Sequence, residues 1–223
     1  MPAGHLTVFD LGKDGMPTNW DSARIIDLRD LAEIATNDHE PEFVSINSTN
    51  QAVVTIQENN HLAIIDLASG KVAAHFSAVT SSAENIPVKK ARMSDASGSI
   101  TDVPREPDAV AWLDNERFVT ANEGDYKGGS RGFTIWNKKG DVLYDSGNTL
   151  EHMGMRTGQY PTKRTHKKGT EPEGAAAGTF GGEKLFFIST ERADFTAVYR
   201  DTGGEPEFVQ FLPTHVATEG LLA

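Results

Sequence analysis

Glu40-Pro41-Glu42-Phe43-Val44, Glu106-Pro107-Asp108-Ala109-Val110 and Glu171-Pro172-Glu173-Gly174-Ala175 are three versions of one block, and each opens an apolar run. Each run ends in a second acidic spot: Gln57-Glu58-Asn59-Asn60, Asn122-Glu123-Gly124-Asp125 and Thr190-Glu191-Arg192. The blocks start 66 and then 65 residues apart. A period of this size, with several short strands per unit, predicts a radial β architecture.

Each unit reads as four strands. The first gives 43–47, 51–57, 61–67 and 71–76; the second 108–113, 117–122, 132–137 and 141–144; the third 174–178, 184–190, 195–200 and 207–212. The middle strands are β-branched and alternate or run apolar, as in Ala-Val-Val-Thr-Ile at 52–56. Asp66-Leu67-Ala68-Ser69-Gly70-Lys71, Lys138-Lys139-Gly140-Asp141 and Asp201-Thr202-Gly203-Gly204 carry turn chemistry at one place in all three. The expected fold class is therefore all-β: a propeller portion of four-stranded antiparallel blades, about three whole blades plus partial blades at both ends. A helical alternative stands only over 28–34, as a short helix or turn within a linker.

The division expected along 1–223 is a single partial propeller domain. Residues 1–39 hold the end of a preceding blade and a linker, since Gly4-His5-Leu6-Thr7-Val8-Phe9-Asp10-Leu11 matches the strand at Asn60 to Leu67. Blades follow at 40–76, 106–145 and 171–212. Residues 213–223 restart the pattern, with Thr218-Glu219-Gly220-Leu221 matching Pro172-Glu173-Gly174-Ala175. The remaining blades of a longer parent protein are the expected neighbours. Two long insertions, 77–105 and 146–170, separate the blades and read as functional or solvated loops.

Composition narrows the function classes. Twenty-one Lys and Arg against 32 Asp and Glu leave a net charge of −11. That argues against nucleic acid or an anionic membrane as main partner and, where carboxylates cluster, favours a cation. The absence of cysteine removes disulfides, thiolate metal sites and thiol nucleophiles. Mean hydropathy is −0.41, and no apolar run approaches the 18 residues of a membrane span. No signal-peptide pattern is read in the first residues.

In a meandering blade, the start of strand one and the end of strand two fall on one face of the disc. Glu42, Asp108 and Glu173 are thus expected at the mouth of the central channel. Glu58, Glu123, Asp125 and Glu191 are expected in a ring around it. Oxygen donors in that number suit Ca²⁺ or Mg²⁺ rather than zinc, Ca²⁺ being the expected ion, with no organic cofactor. Two other readings stand beside this one: strand-start devices in which Pro fixes φ and Glu accepts loop N–H groups, and catalytic carboxylates. The seven histidines show no metal-ligand spacing and read as solvent-facing or satisfied core residues. Asp95-Ala96-Ser97-Gly98-Ser99 only partly matches a calcium loop. Gly124 to Gly132 reads as a hairpin loop. Trp112, Trp136 and Phe186-Phe187 read as inter-blade packing.

The segments EPEFVSIN, VTIQENNHLAIIDLASGKV, PDAVAWL, FVTANEGD, RGFTIWN, VLYDSGNTLE and KGTEPEGAAAG occur in order over most of 40–200. They resemble the choice-of-anchor I proteins, secreted or surface bacterial propellers related to YVTN and WD40-like repeats. The resemblance implies an extracellular, periplasmic or cell-surface parent with a separate anchor, and an unidentified ligand or surface partner. It transfers no catalytic residue. The insertion before EPEG is more basic than the family pattern. Glu171-Pro172-Glu173-Gly174 is also similar to strand one of calcium-dependent propeller phytases. The expected function is a propeller module binding a ligand, partner or cation on its acidic face, with a calcium-dependent phosphoesterase or a structural spacer as alternatives. A basic group facing the mouth would favour the phosphoesterase, with Arg131, Arg192 and the run 163–168 as candidates.

Overall fold

The computed structural model describes residues 4–90, 95–218 and 220–223. An antiparallel pair, β1 (His5–Val8) and β2 (Arg24–Asp27), precedes the first blade. That blade is β3 (Pro41–Ile46), β4 (Gln51–Ile56), β5 (His61–Asp66) and β6 (Lys71–Ser77). A second pair follows, β7 (Thr80–Ile86) and β8 (Gly98–Pro104). The next blade is β9 (Val110–Trp112), β10 (Arg117–Ala121), β11 (Phe133–Asn137) and β12 (Val142–Asp145). Helix α1 (Thr149–Thr157) leads to β13 (Pro172–Phe180), β14 (Glu183–Thr190), β15 (Phe195–Arg200) and β16 (Glu207–Pro213). Each blade is an antiparallel meander in chain order.

Burial explains why the middle strands read as near-continuous apolar runs. In β4, Val53 joins the core shared with the second blade through Val110, Phe118 and Trp136. Its neighbours Ala52 and Val54 face the opposite way, onto Ile26 and Leu28. A strand covered on both faces has no solvent side to keep polar. A third core joins the second and third blades through Phe133, Phe186, Phe195 and Tyr199. The first strands are innermost, since β9 touches both β3 and β13. Hydrogen bonds lock the blades as well. Trp112 Nε1 donates to Ser45 O at 2.9 Å, and Arg117 makes a bidentate pair with Asp201 at 2.7 and 2.8 Å.

Several expectations are corrected. The insertion 77–105 is not a plain loop, because β7 and β8 pair within it. Its sequences TSSAENI and GSITDVP carry too few apolar residues to show a strand period. The insertion 146–170 holds a helix that no sequence signal placed there, while 28–34 takes turns and bends, the turn side of its expectation. Leu150 and Gly154 of α1 are buried on one face, and Gly158 ends it in the left-handed conformation. Nine residues with a glycine inside gave a weak helical signal. After Pro213 the described residues form no strand, and Glu219, part of the expected new blade, lies outside the described residues.

Candidate functional site

The two acids of each repeated block do different work. Glu106 and Glu171 take positive φ, 47° and 52°, immediately before the proline. Glu106 is 1% exposed, and its carboxylate accepts N–H bonds from Asp125 (2.6 Å), Tyr126 (2.8 Å) and Lys127 (2.5 Å). Glu171 is fully buried and paired with Arg164, at 2.5 and 3.0 Å, and with Arg192 at 3.5 Å. In the first block the amide of Asn59 substitutes, accepting from Glu40 N at 3.0 Å. These acids hold loops; for Glu106 the strand-start reading is the correct one.

The acid two positions later lines a cavity common to all three blocks. Glu42, Asp108 and Glu173 line one cavity of about 610 Å³ together with Glu58, Glu123 and Asp125. Carboxylate oxygens of Asp108, Glu123 and Glu173 all lie within 4.8 Å of one another. Glu191 does not line that cavity; with Glu123 and Glu171 it forms an adjoining trio under the same limit. Asp108 is 5% exposed, and Glu173 Oε2 is buried without a hydrogen-bond partner.

Crowding shows in the proton affinities. Burial, then Glu123 and Glu42, push Asp108 up to about 7 against the pull of Lys168. Burial, then Glu123, Glu191 and Asp108, push Glu173 up to about 8. Burial, then Glu40 and Asp125, push Glu58 up to about 7. Glu42 and Glu191 are raised as well, burial first. Asp125 goes the other way, because Lys168 donates a hydrogen bond to it. Close carboxylates cannot all ionise without a compensating cation or retained protons.

Part of that compensation comes from residues that strand periodicity could not place. Lys168 bridges Glu123 and Asp125, and Gln57 Nε2 donates to the other Glu123 oxygen at 2.7 Å. Burial opposes the Lys168 charge, but these bonds outweigh it and hold its pKa above the usual lysine range. A second cavity of about 630 Å³ shares Glu123 and Asp125 and adds Arg164, His166, Lys167 and Arg192. The basic run was visible in the sequence, but which of its residues turns inward was not. Arg131 does not face the mouth: it is 3% exposed and bonds Pro87 O, Thr165 O, Lys167 O and Glu151. The Asp95 segment forms a turn in which Asp95 accepts from Ser97 N at 3.1 Å.

The model of the choice-of-anchor I domain matches residues 18–128 and 126–204. The chain belongs to the choice-of-anchor I family. Solved structures share the fold of this choice-of-anchor I domain at low identity. A putative 6-phosphogluconolactonase from Bacteroides uniformis is 10% identical with a TM-score of 0.51, over 95% of this chain and 52% of its own. The virginiamycin B lyase from Staphylococcus aureus is 13% identical with a TM-score of 0.50, over 96% of this chain and 52% of its own. A Lactobacillus plantarum protein is 11% identical with a TM-score of 0.50, over 94% of this chain and 51% of its own. The choice-of-anchor I domain thus spans about half the length of these propeller-like structures. No curated protein matches it. Family and fold together support a propeller module of a surface protein.

Proposed function

We propose that this choice-of-anchor I domain is a binding module of an exported or surface-displayed propeller, and that its channel mouth takes a divalent cation of the Ca²⁺ class. The convergence of Asp108, Glu123 and Glu173 carries the reading. Calcium sits about 2.3–2.6 Å from its oxygens, so two ligands of one ion stand up to about 5 Å apart. The trio is within that span. An all-carboxylate donor set suits a hard cation, not zinc. The unpartnered Glu173 oxygen is the natural first ligand, Asp108 the second, with Glu123 turning from Lys168 toward the ion. A bound cation would supply positive charge at the mouth, to which an anionic group of a ligand could attach.

Calorimetric titration with Ca²⁺ tests this, beside melting curves with and without the ion. A ligand bound only to the folded state stabilises by mass action, here by about 1–3 kcal/mol at saturation. The paired changes Asp108→Asn and Glu173→Gln should remove both heat and stabilisation. Absent heat, or heat unchanged in the double variant, leaves a structural spacer.

A second reading, a calcium-dependent phosphoesterase, is favoured by the basic wall of the adjoining cavity, where Lys167, Lys168 and Arg164 stand beside the acidic mouth. A phosphate bridging ion and wall would be polarised between them. Hydrolysis of p-nitrophenyl phosphate that needs Ca²⁺ and is lost in the double variant would select this reading; Ca²⁺ binding without hydrolysis selects the binding module.

A further inference from the structure

We propose that His39, His61 and His75 form a second metal site on the flank of the first blade, with nitrogen donors, for a borderline ion such as Zn²⁺ or Cu²⁺. It lies apart from the carboxylate mouth and does not depend on the reading given there.

The strand register brings two of the rings together. Leu62 pairs with Phe76 and Ala63 with His75, so His61 and His75 sit diagonally on one face of the β5–β6 ladder. Ala63 of that face packs into the core with Ile26 and Leu28, so the rings stand on the side of the blade that those residues cover. His61 Nε2 and His75 Nδ1 are 3.0 Å apart. Two imidazole nitrogens at that distance share one proton or one metal ion. On tetrahedral zinc, with bonds of about 2.0–2.1 Å, they stand roughly 3.3 Å apart. The change needed is a few tenths of an ångström.

His39 supplies the independent sign. It is 3% exposed, and neither ring nitrogen has a partner. A buried imidazole with both nitrogens unmatched is costly, which sets His39 against the satisfied core histidine expected from the sequence. Its backbone is already fixed over the blade. Asn59 Nδ2 donates to Ile34 O, Ala35 O and Asp38 O at 2.8, 3.1 and 2.9 Å, and Asn59 Oδ1 accepts from Glu40 N. Asn59 is two residues from His61, so one clamp holds both near the same place.

Among the described residues only carboxylate trios bring three ligand atoms within 4.8 Å, so the site closes by His39 turning its ring toward the pair. The energetic direction is favourable, because the turn gives an orphan nitrogen a ligand. His75 is exposed and gives the ion a way in. Imidazole suits zinc and copper, while calcium prefers oxygen, so the two sites select different ions.

The experiment is a titration of the whole chain with Zn²⁺ in excess Ca²⁺, repeated with Cu²⁺ under electron paramagnetic resonance. One Zn²⁺ should bind. His75→Asn, on an exposed strand position, should weaken binding at least tenfold without changing the circular dichroism spectrum. His39→Gln should do the same. The Cu²⁺ spectrum should show three coupled nitrogens, falling to two in either variant. Unchanged affinity in either variant overturns the site, as does Zn²⁺ binding that vanishes in the Asp108→Asn, Glu173→Gln protein. Should His39→Gln fail to fold, the His75→Asn titration and the nitrogen count still decide.

Discussion

Lys168 Nζ stands 2.7 Å from Glu123 Oε1, a contact reaching across 45 residues from the second insertion into the acidic mouth. It also stands 2.9 Å from Asp125 Oδ1. An insertion that separates two blades thus carries the cation that partly offsets their carboxylates. Whatever ion enters the mouth competes with this ammonium.

Lys168→Met therefore has two opposite consequences. Without Ca²⁺, Glu123 loses its partner and the domain should lose about 1–3 kcal/mol in urea denaturation, as a part-buried charge is left with one hydrogen bond. Ca²⁺ affinity should rise, because a competing charge is gone. Weaker Ca²⁺ binding in this variant would mean that Lys168 arranges the ligands instead of competing for them.

Stability should fall as pH rises through neutrality. Asp108, Glu58 and Glu173 hold their protons to about 7, 7 and 8 when folded, against ordinary carboxylate values of about 4. Across that window the folded state binds more protons than the unfolded one, so the contribution of these three groups is complete below pH 4 and lost by about pH 8. The metal-free melting temperature is expected to drop between pH 5.5 and 8. Asp108→Asn with Glu173→Gln should flatten the profile. In the native protein, Ca²⁺ should release protons, read as a heat that varies with the buffer's ionisation enthalpy.

Glu106 sits behind the site and supports it. Glu106→Ala removes one carboxylate from three backbone N–H groups and should cost about 3 kcal/mol or more, since bonds to a charged group are worth about 1.5–3 kcal/mol each but do not add fully when one carboxylate makes them all. Amide exchange at residues 125–127 should accelerate selectively. Uniform acceleration over the whole blade would show that Glu106 serves global folding instead.

Gly124 is the backbone counterpart. It has φ of +78°, and a Cβ there would meet Gly129 Cα at 2.0 Å. Gly124→Ala should distort the loop and displace Glu123 and Asp125, abolishing the Ca²⁺ response while β10 and β11 stay paired. Gly203→Ala is the control: its φ is +85°, but the space around it is open. It should cost about 1 kcal/mol and leave the Ca²⁺ response intact.

The sequence by itself determined the blades. Strand alternation, glycine turns and the Glu-Pro blocks are local signals, set by backbone sterics and side-chain period, and the observed strands fall within a few residues of them. It also placed Glu42, Asp108 and Glu173 at one mouth, because a meander fixes which strand ends share a face. Only the tertiary structure decided the rest. That Asp108, Glu123 and Glu173 come within 4.8 Å depends on how blades rotate about a common axis, which no local signal records. That Lys168 turns inward and Arg131 is buried depends on the path of an insertion held by α1 and by Glu171. The polar β7–β8 pair exists because blade edges and Arg105 offer it partners: Arg105 bonds Ala78 O and Thr80 O at 3.0 and 2.6 Å and Asp145 at 2.7 Å. The meeting of His61 with His75 follows from a register set by residues between them. Periodicity tells a chain which groups face inward; packing alone decides which of those groups meet.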